Sequence, residues 1–142
     1  MQIEVRIAEK EDIDSINEIL NELQECDLEL RSRKLKKALE SECSTYFLAV
    51  TPKRIIGYLN IWHLPDIIDG GEAGIIMDIY VSGKFRDRGV GKLLLDSAIE
   101  FGEKYGVNKY YGWMGPENMA AIAMMKRYGF AAQGLMFEKN SN

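Results

Sequence analysis

Apolar positions in the first third of the chain follow first a strand period and then a helix period. Residues alternate between apolar and polar over Ile3–Ala8, which is typical of a half-buried strand. Apolar residues then recur at helical spacing from Ile13 to Leu23, and a polar segment over Arg31–Leu39 keeps Leu35 and Leu39 on one stripe. The pattern therefore predicts a strand followed by two helices.

The middle of the chain has a strand pattern interrupted by turn residues. Strands are predicted over Thr45–Val50 and Arg54–Trp62, and the "TPKR" turn between them indicates a hairpin. The segment Leu64–Gly74 contains proline, glycines and carboxylates, so we expect a flexible loop there. The apolar run Ile75–Val81 predicts the next strand.

The last third returns to alternating helices and strands. One apolar face from Val90 to Tyr105 predicts a long helix that ends before a glycine. A strand is predicted over Val107–Met114, a short apolar helix over Met119–Tyr128, and one or two closing strands over Phe130–Lys139. With no repeat or linker-like segment, we expect a single α/β domain spanning residues 1–142.

Composition narrows the possible functions. The chain has 142 residues, 46% of them hydrophobic, a net charge of −4 and a pI near 5.1. This excess of acid argues against a general nucleic-acid binder. The cysteines, Cys26 and Cys43, do not form a CxxC motif, and a single histidine makes a zinc site implausible, so we expect two free thiols and no metal. The charged N-terminal segment and the lack of a long apolar run predict a cytoplasmic protein that does not bind a membrane.

The segment "KFRDRGVGK" joins a predicted strand to the long helix and has the composition of an anion site. Gly89 and Gly91 leave backbone N–H groups uncovered at a helix start, and Arg86, Arg88 and Lys92 surround them with positive charge. The spacing matches neither a Walker loop nor a dinucleotide fingerprint. A phosphate site and an ordinary strand-to-helix turn both remain open from the residues alone.

The order of these elements resembles a known enzyme family. Arg86-x-x-Gly89-x-Gly91 between a strand and a long helix is similar to the Q/R-x-x-G-x-G/A signature of the GCN5-related N-acetyltransferases. The segments "VRIAEKEDIDSINEIL", "IIGYLNI" and "ENMAAIAMMKRYGF" resemble the family's opening strand and helix, its G-[YF] strand and its late helix. The resemblance covers essentially the whole chain. It implies a mixed, mainly antiparallel sheet of six to seven strands flanked by about four helices.

The resemblance also implies a co-substrate, acetyl-CoA, and the residues that bind it. The pyrophosphate is expected on the glycine turn, and the pantetheine arm is expected to pair with the strand just before it. Amides of that strand would polarise the thioester carbonyl. The implied acetyl-CoA residues are Ile79, Tyr80, Val81, Arg86, Asp87, Arg88, Gly89, Val90, Gly91, Lys92, Asn118 and Met125.

The residues that move protons are less clear from the sequence. Direct transfer needs a neutral amine, so a base must accept a proton, and Glu72 and Asp78 are the carboxylates nearest the reacting strand. The family often has a glutamate on this strand, but Met77 stands just before Asp78 here. The tyrosine that usually protonates the CoA thiolate is replaced by Met125, and Tyr128, one turn further along, is the alternative acid. A solvated Asp78, a packing role for Tyr128 and a thiolate that needs no acid all remain open.

The acceptor is predicted to be a primary amine of a small molecule or a peptide. Acidic residues concentrate in two segments expected beside the acceptor, which favours a small cationic acceptor: Glu25, Asp27 and Glu29, and Asp66, Asp69 and Glu72. Ordinary solvated loops explain these acids almost equally well. Two other classes stay open, an acyl-CoA sensor without turnover and a protein-interaction module, and the protein is expected to be a monomer or a homodimer.

Overall fold

The computed structural model describes residues 2–141. Its helices are α1 (Ile13–Leu20), α2 (Leu28–Glu40), α3 (Val90–Lys104) and α4 (Met119–Tyr128), and its strands are β1 (Glu4–Ile7), β2 (Ser44–Val50), β3 (Ile55–Pro65), β4 (Glu72–Val81) and β5 (Val107–Gly112). The chain divides into two compact units, one extending to Gly112 and one beginning at Trp113. Among the described residues, no helix is both long and apolar enough to cross a bilayer.

All strands of the described residues belong to one mixed sheet in the order β1-β2-β3-β4-β5. The pairings β1–β2, β2–β3 and β3–β4 are antiparallel, and β4–β5 is parallel. The α/β class and the four helices are confirmed. The predicted strand count and the mainly antiparallel description were wrong, because residues 2–141 contain five strands in a mixed sheet rather than six to seven.

The missing strands are those predicted over Phe130–Lys139. These residues have no regular secondary structure, and Leu135 and Phe137 are 85% and 89% exposed. An alternating pattern becomes a strand only when a neighbouring strand accepts its backbone hydrogen bonds, and the pattern cannot supply that neighbour.

Two boundaries also differ from the prediction, both through hydrogen bonds made by aspartates. The predicted loop Leu64–Gly74 is shorter, because Leu64 and Pro65 pair with Ala73 and Glu72 at the end of the β3–β4 hairpin. Asp66 closes that hairpin by accepting hydrogen bonds from the amides of Ile68 and Asp69. Helix α2 begins earlier than predicted, since Asp27 caps it by accepting from the Leu30 amide at 3.1 Å.

Helices cover both faces of the sheet in the first unit. Alternate residues of β2 and β3 separate the two faces: Leu48 and Tyr58 pack in the core cluster with α1 and α2, whereas Phe47 meets Phe101 of α3 edge to face at 5.5 Å. Gly57 lies in close contact with both elements, because a Cβ there would meet the Tyr80 carbonyl oxygen of β4 at 3.0 Å and the side chains of Val90 and Leu94 of α3 at 3.4 Å. The end of β4 and the start of α3 are therefore held together.

Candidate active site

The turn between β4 and α3 exposes backbone amides without side-chain caps. Gly89, the N-cap of α3, has a left-handed backbone with φ 78°, and Asp87 is also left-handed with φ 61°. No side chain of the described residues caps the helix, so its first-turn N–H groups are uncovered. Left-handed residues in such turns form concave arrangements of N–H groups that bind anions. The geometry therefore suits a phosphate group.

Basic side chains surround these amides, and two of them are fixed on aromatic rings. Arg86 donates from Nε to the Val81 carbonyl at 3.0 Å and lies 5.4 Å from the Tyr80 ring centre. Arg88 lies 5.9 Å from the ring centre of Phe85. Among the described residues, neither guanidinium group forms an ion pair with a carboxylate, so both can bind an anion at the turn.

Glu22 connects this region to α1, and the sequence patterns did not reveal it. Its carboxylate accepts hydrogen bonds from Ser82 Oγ at 2.6 Å and from the Tyr80 hydroxyl at 3.1 Å, and pairs with Arg54 at 3.2 Å. Partial burial alone would raise the pKa of Glu22, but these hydrogen bonds and the Arg54 charge lower it overall. Since its partners lie far away in sequence, no local signal could have identified Glu22.

The end of β4 is free of β5. The parallel pairing runs from Glu72 with Val107 to Ile76 with Gly112, where β5 ends. On its other side β4 stays paired with β3 as far as Val81. The backbone of Met77–Val81 therefore has no β5 partner on one edge, directly before the glycine turn.

A β-bulge directs two consecutive β4 residues towards the same side. Asn60 pairs with Asp78 and Ile61 pairs with Ile76, so Met77 is the extra residue. Both Met77 and Asp78 line a cavity of about 580 Å³ next to α2. This volume lies in the range of small-molecule sites.

Asp78 is the only carboxylate among the described residues that line this cavity. Loss of hydration beside the cavity wall raises its pKa, although the residue remains partly exposed to solvent. Tyr46 also lines the cavity, and burial, followed by the Asp78 charge, raises the pKa of Tyr46 to about 12. Tyr46 therefore remains a neutral phenol near an ionisable carboxyl group.

Asn60 fixes the aromatic wall of the cavity. This residue is 3% exposed, and its side-chain amide donates to Ser44 Oγ at 3.0 Å and to the Thr45 carbonyl at 3.1 Å. Its oxygen accepts from the Trp62 indole at 2.8 Å. Sequence patterns had not identified Asn60 or Trp62 as site residues, because their roles depend on the β2–β3 register.

The other predicted base, Glu72, lies at the opposite end of β4. It pairs with Pro65 and does not line the cavity. At roughly 3.3 Å per residue, the strand separates it from Asp78 by about 20 Å. Glu72 is close to His63 instead: burial lowers the His63 pKa, while the Glu72 charge acts in the opposite direction. His63 is enclosed by the rings of Phe101 and Tyr105, away from the cavity.

The acidic segments predicted beside the acceptor do not line the cavity. None of Glu25, Asp27, Glu29, Asp66, Asp69 and Glu72 is among its described lining residues. Asp27 caps α2, and Asp66 and Asp69 pair with Lys109. Asp27, Asp66 and Asp69 therefore make structural contacts away from the cavity.

The remaining predicted residues belong to α4 in the second unit. Asn118 caps this helix by accepting from the Ala121 amide at 3.2 Å, as predicted. Met125 is the buried residue of the helix, and Tyr128 is its last residue, with its ring 6.3 Å from that of Phe130. Their roles towards acetyl-CoA stay predictions.

A family model described as the acetyltransferase (GNAT) family matches residues 13–130. The chain therefore belongs to this family, and the prediction from the motifs is confirmed. An uncharacterized N-acetyltransferase of Methanocaldococcus jannaschii is 41% identical over 63 residues, which are 44% of this chain and 28% of that protein. The match thus spans less than a third of that relative's length.

Several solved structures share the fold over nearly the full length. An aminoglycoside N-acetyltransferase, AAC(6')-Iy, in complex with CoA has a TM-score of 0.88 at 19% identity, covering 98% of this chain and 95% of that one. A ribosomal-protein-alanine N-acetyltransferase from Brucella melitensis biovar Abortus has 0.84 at 16% identity, covering 99% and 100%. A transcriptional regulator from Bacillus halodurans has 0.87 at 17% identity, covering 99% and 100%. At these identities the likeness concerns the fold.

Proposed function

We propose that the protein is an N-acetyltransferase that uses acetyl-CoA to acetylate a primary amine. The observation that supports this proposal is that three features follow one another along β4 and the turn after it. They are the cavity lined by Asp78, the free edge of Met77–Val81, and the uncapped amides at the start of α3. Family membership supports the same activity. The AAC(6')-Iy structure is described as a complex with CoA, which makes this the expected co-substrate.

The residues present fit CoA. The amides of Gly89, Val90 and Gly91 would hold the pyrophosphate, with positive charge supplied by Arg86 and Arg88. The edge of Ile79–Val81 offers backbone donors and acceptors to an amide-containing arm. When bound, acetyl-CoA supplies the activated acetyl group.

Asp78 is the base in this proposal. An amine acceptor in the cavity lies beside its carboxylate, which accepts a proton from the ammonium form directly or through a water. Loss of hydration raises the pKa of Asp78, which is the direction that makes a carboxylate a stronger base. The Tyr46 hydroxyl, neutral under these conditions, can orient the acceptor by hydrogen bonding.

Tyr128 is retained as the proposed acid for the departing thiolate. The Tyr128→Phe substitution keeps the ring and removes only the hydroxyl. At saturating acetyl-CoA we expect kcat to fall about tenfold, and Met125→Tyr to restore part of it in the double variant. An unchanged kcat in folded Tyr128→Phe would leave water as the proton source.

Calorimetry and turnover together test the proposal. We expect CoA to bind the protein, and acetyl-CoA to release free thiol in the presence of an amine, with a mass increase of one acetyl group on that amine. Binding of CoA without thiol release across a broad amine panel would indicate an acyl-CoA sensor. Absence of CoA binding would indicate an interaction module instead.

A further inference from the structure

The charge of the cavity wall is opposite to that of the whole protein. The protein carries a net charge of −4, yet three basic residues of α2, Arg31, Lys34 and Lys37, line the cavity against the single carboxylate of Asp78. Their spacing places them along one side of the helix. An amine acceptor therefore enters a site with an excess of positive charge.

Within residues 2–141, no carboxylate forms an ion pair with any of these three cations. Arg31 donates to the Asn21 side-chain oxygen at 2.9 Å and to the Gln24 carbonyl, both neutral acceptors. These bonds fix the guanidinium and leave its charge uncompensated. Lys34 and Lys37 are exposed and flexible enough to follow a ligand.

The opposite wall supplies a rigid apolar surface. Trp62 is held by its hydrogen bond to the buried Asn60, and Tyr46 stands beside it on the neighbouring strand. The cavity thus has a carboxylate for an ammonium group, aromatic rings for an apolar spacer, and cations for a group of opposite charge.

We propose that the acceptor is a primary amine that also carries an anionic group, a carboxylate or a phosphate, bound by Lys34, Lys37 and Arg31 while its amine lies at Asp78. This proposal rests on the proposed amine acetylation and names its substrate class. A purely cationic acceptor, such as a diamine, would place its second charge against the α2 cations.

A binding assay tests the substrate class without turnover. The chain has two tryptophans, so Trp113→Phe leaves Trp62 in the cavity wall as the only indole. Its fluorescence is titrated with 6-aminohexanoate, 6-aminohexyl phosphate, hexylamine and 1,6-diaminohexane. We expect the two anionic amines to bind about tenfold more tightly than the diamine, and the difference to shrink with salt. The first two probes distinguish a carboxylate from a phosphate preference.

Charge-matched variants locate the effect. The double variant Lys34→Gln/Lys37→Gln removes two charges from the cavity wall, and Arg33→Gln/Lys36→Gln removes two from exposed positions of α2 that do not line the cavity. Only the first should abolish the preference for anionic amines, with unchanged melting temperature in both. Equal losses in the two variants, or equal binding of the anionic amines and the diamine by wild type, would overturn the proposal.

Turnover of the same amines distinguishes failure of the proposed acceptor class from failure of the proposed transferase activity. Acetylation of all four amines at equal kcat/KM supports the transferase and overturns the anionic acceptor. Tighter binding of the anionic amines with loss only in Lys34→Gln/Lys37→Gln, but without acetylation of any amine, supports the anionic ligand and counts against the transferase.

Discussion

The glycine turn and the cavity differ in how they are built. The turn is one continuous segment that presents backbone amides before α3, with Gly89 in a left-handed conformation. The cavity combines side chains from α1, α2, β2, β3 and β4, and its chemistry depends on Asp78, Trp62 and the α2 cations. A backbone site can be recognised from a short motif, whereas a site made of side chains depends on the packing of distant segments.

The largest expected effect separates chemistry from co-substrate binding. Asp78→Asn should lower kcat by about a hundredfold to a thousandfold, because it removes the proposed base, while the CoA dissociation constant stays unchanged. Glu72→Gln is the matched control on the same strand and should retain near wild-type turnover. A large loss in Glu72→Gln with normal activity in Asp78→Asn would reverse the assignment.

The complementary substitution changes the glycine turn and leaves the residues of the cavity unchanged. Gly89→Val should weaken CoA binding by about a hundredfold by calorimetry, since the side chain disturbs both the left-handed backbone and the approach of phosphate to the amides. Gly106→Val is a matched control: Gly106 has φ 75°, follows the other end of α3, and has no atom near its missing Cβ. Both variants should lose similar thermal stability, but only Gly89→Val should lose CoA. Equal CoA affinity in the two would remove the phosphate assignment.

Arg86→Gln tests how much the side chains add to the turn. We expect CoA affinity to fall about threefold to tenfold and its dependence on salt to become weaker, because one charge leaves the phosphate site while the amides remain. Lys104→Gln, near the C-terminal end of α3, is the control for the loss of one charge. An unchanged salt dependence in Arg86→Gln would show that this residue only braces Tyr80 and Val81.

The smallest expected effect is on stability. Desolvation raises the folded-state pKa of Asp78, so protonated Asp78 stabilises the folded state relative to ionised Asp78. This stabilisation is lost as the pH rises through the folded-state pKa. Asp78→Asn should therefore melt slightly above wild type at pH 7 and show a smaller difference at pH 4. Because Asp78 is partly exposed, we expect a shift of only a few degrees at most. A variant that melts lower at pH 7 would indicate that the carboxylate stabilises the fold.

Local sequence determined the turn and most of the elements. Alternation and helical spacing placed β1, β2 and α1 to within a few residues, and Gly89 and Gly129 stood where left-handed caps are needed. The motif around Arg86 and Gly89 identified the family that the family model then confirmed. These features depend on residues that are neighbours along the chain, so the chain itself carries them.

Tertiary structure decided the character of the cavity. The register of β3 with β4 creates the bulge that brings Met77 and Asp78 to one side of the sheet. The apolar–polar pattern of either strand cannot predict this bulge, because the bulge depends on how the two strands pair. Packing of α2 against the sheet makes a basic helix into a cavity wall, while the acidic segments predicted beside the acceptor do not line the cavity. The strands predicted over Phe130–Lys139 are absent among the described residues for a related reason: a strand needs a neighbouring edge, and a sequence pattern specifies side chains but not the partner that its backbone will meet.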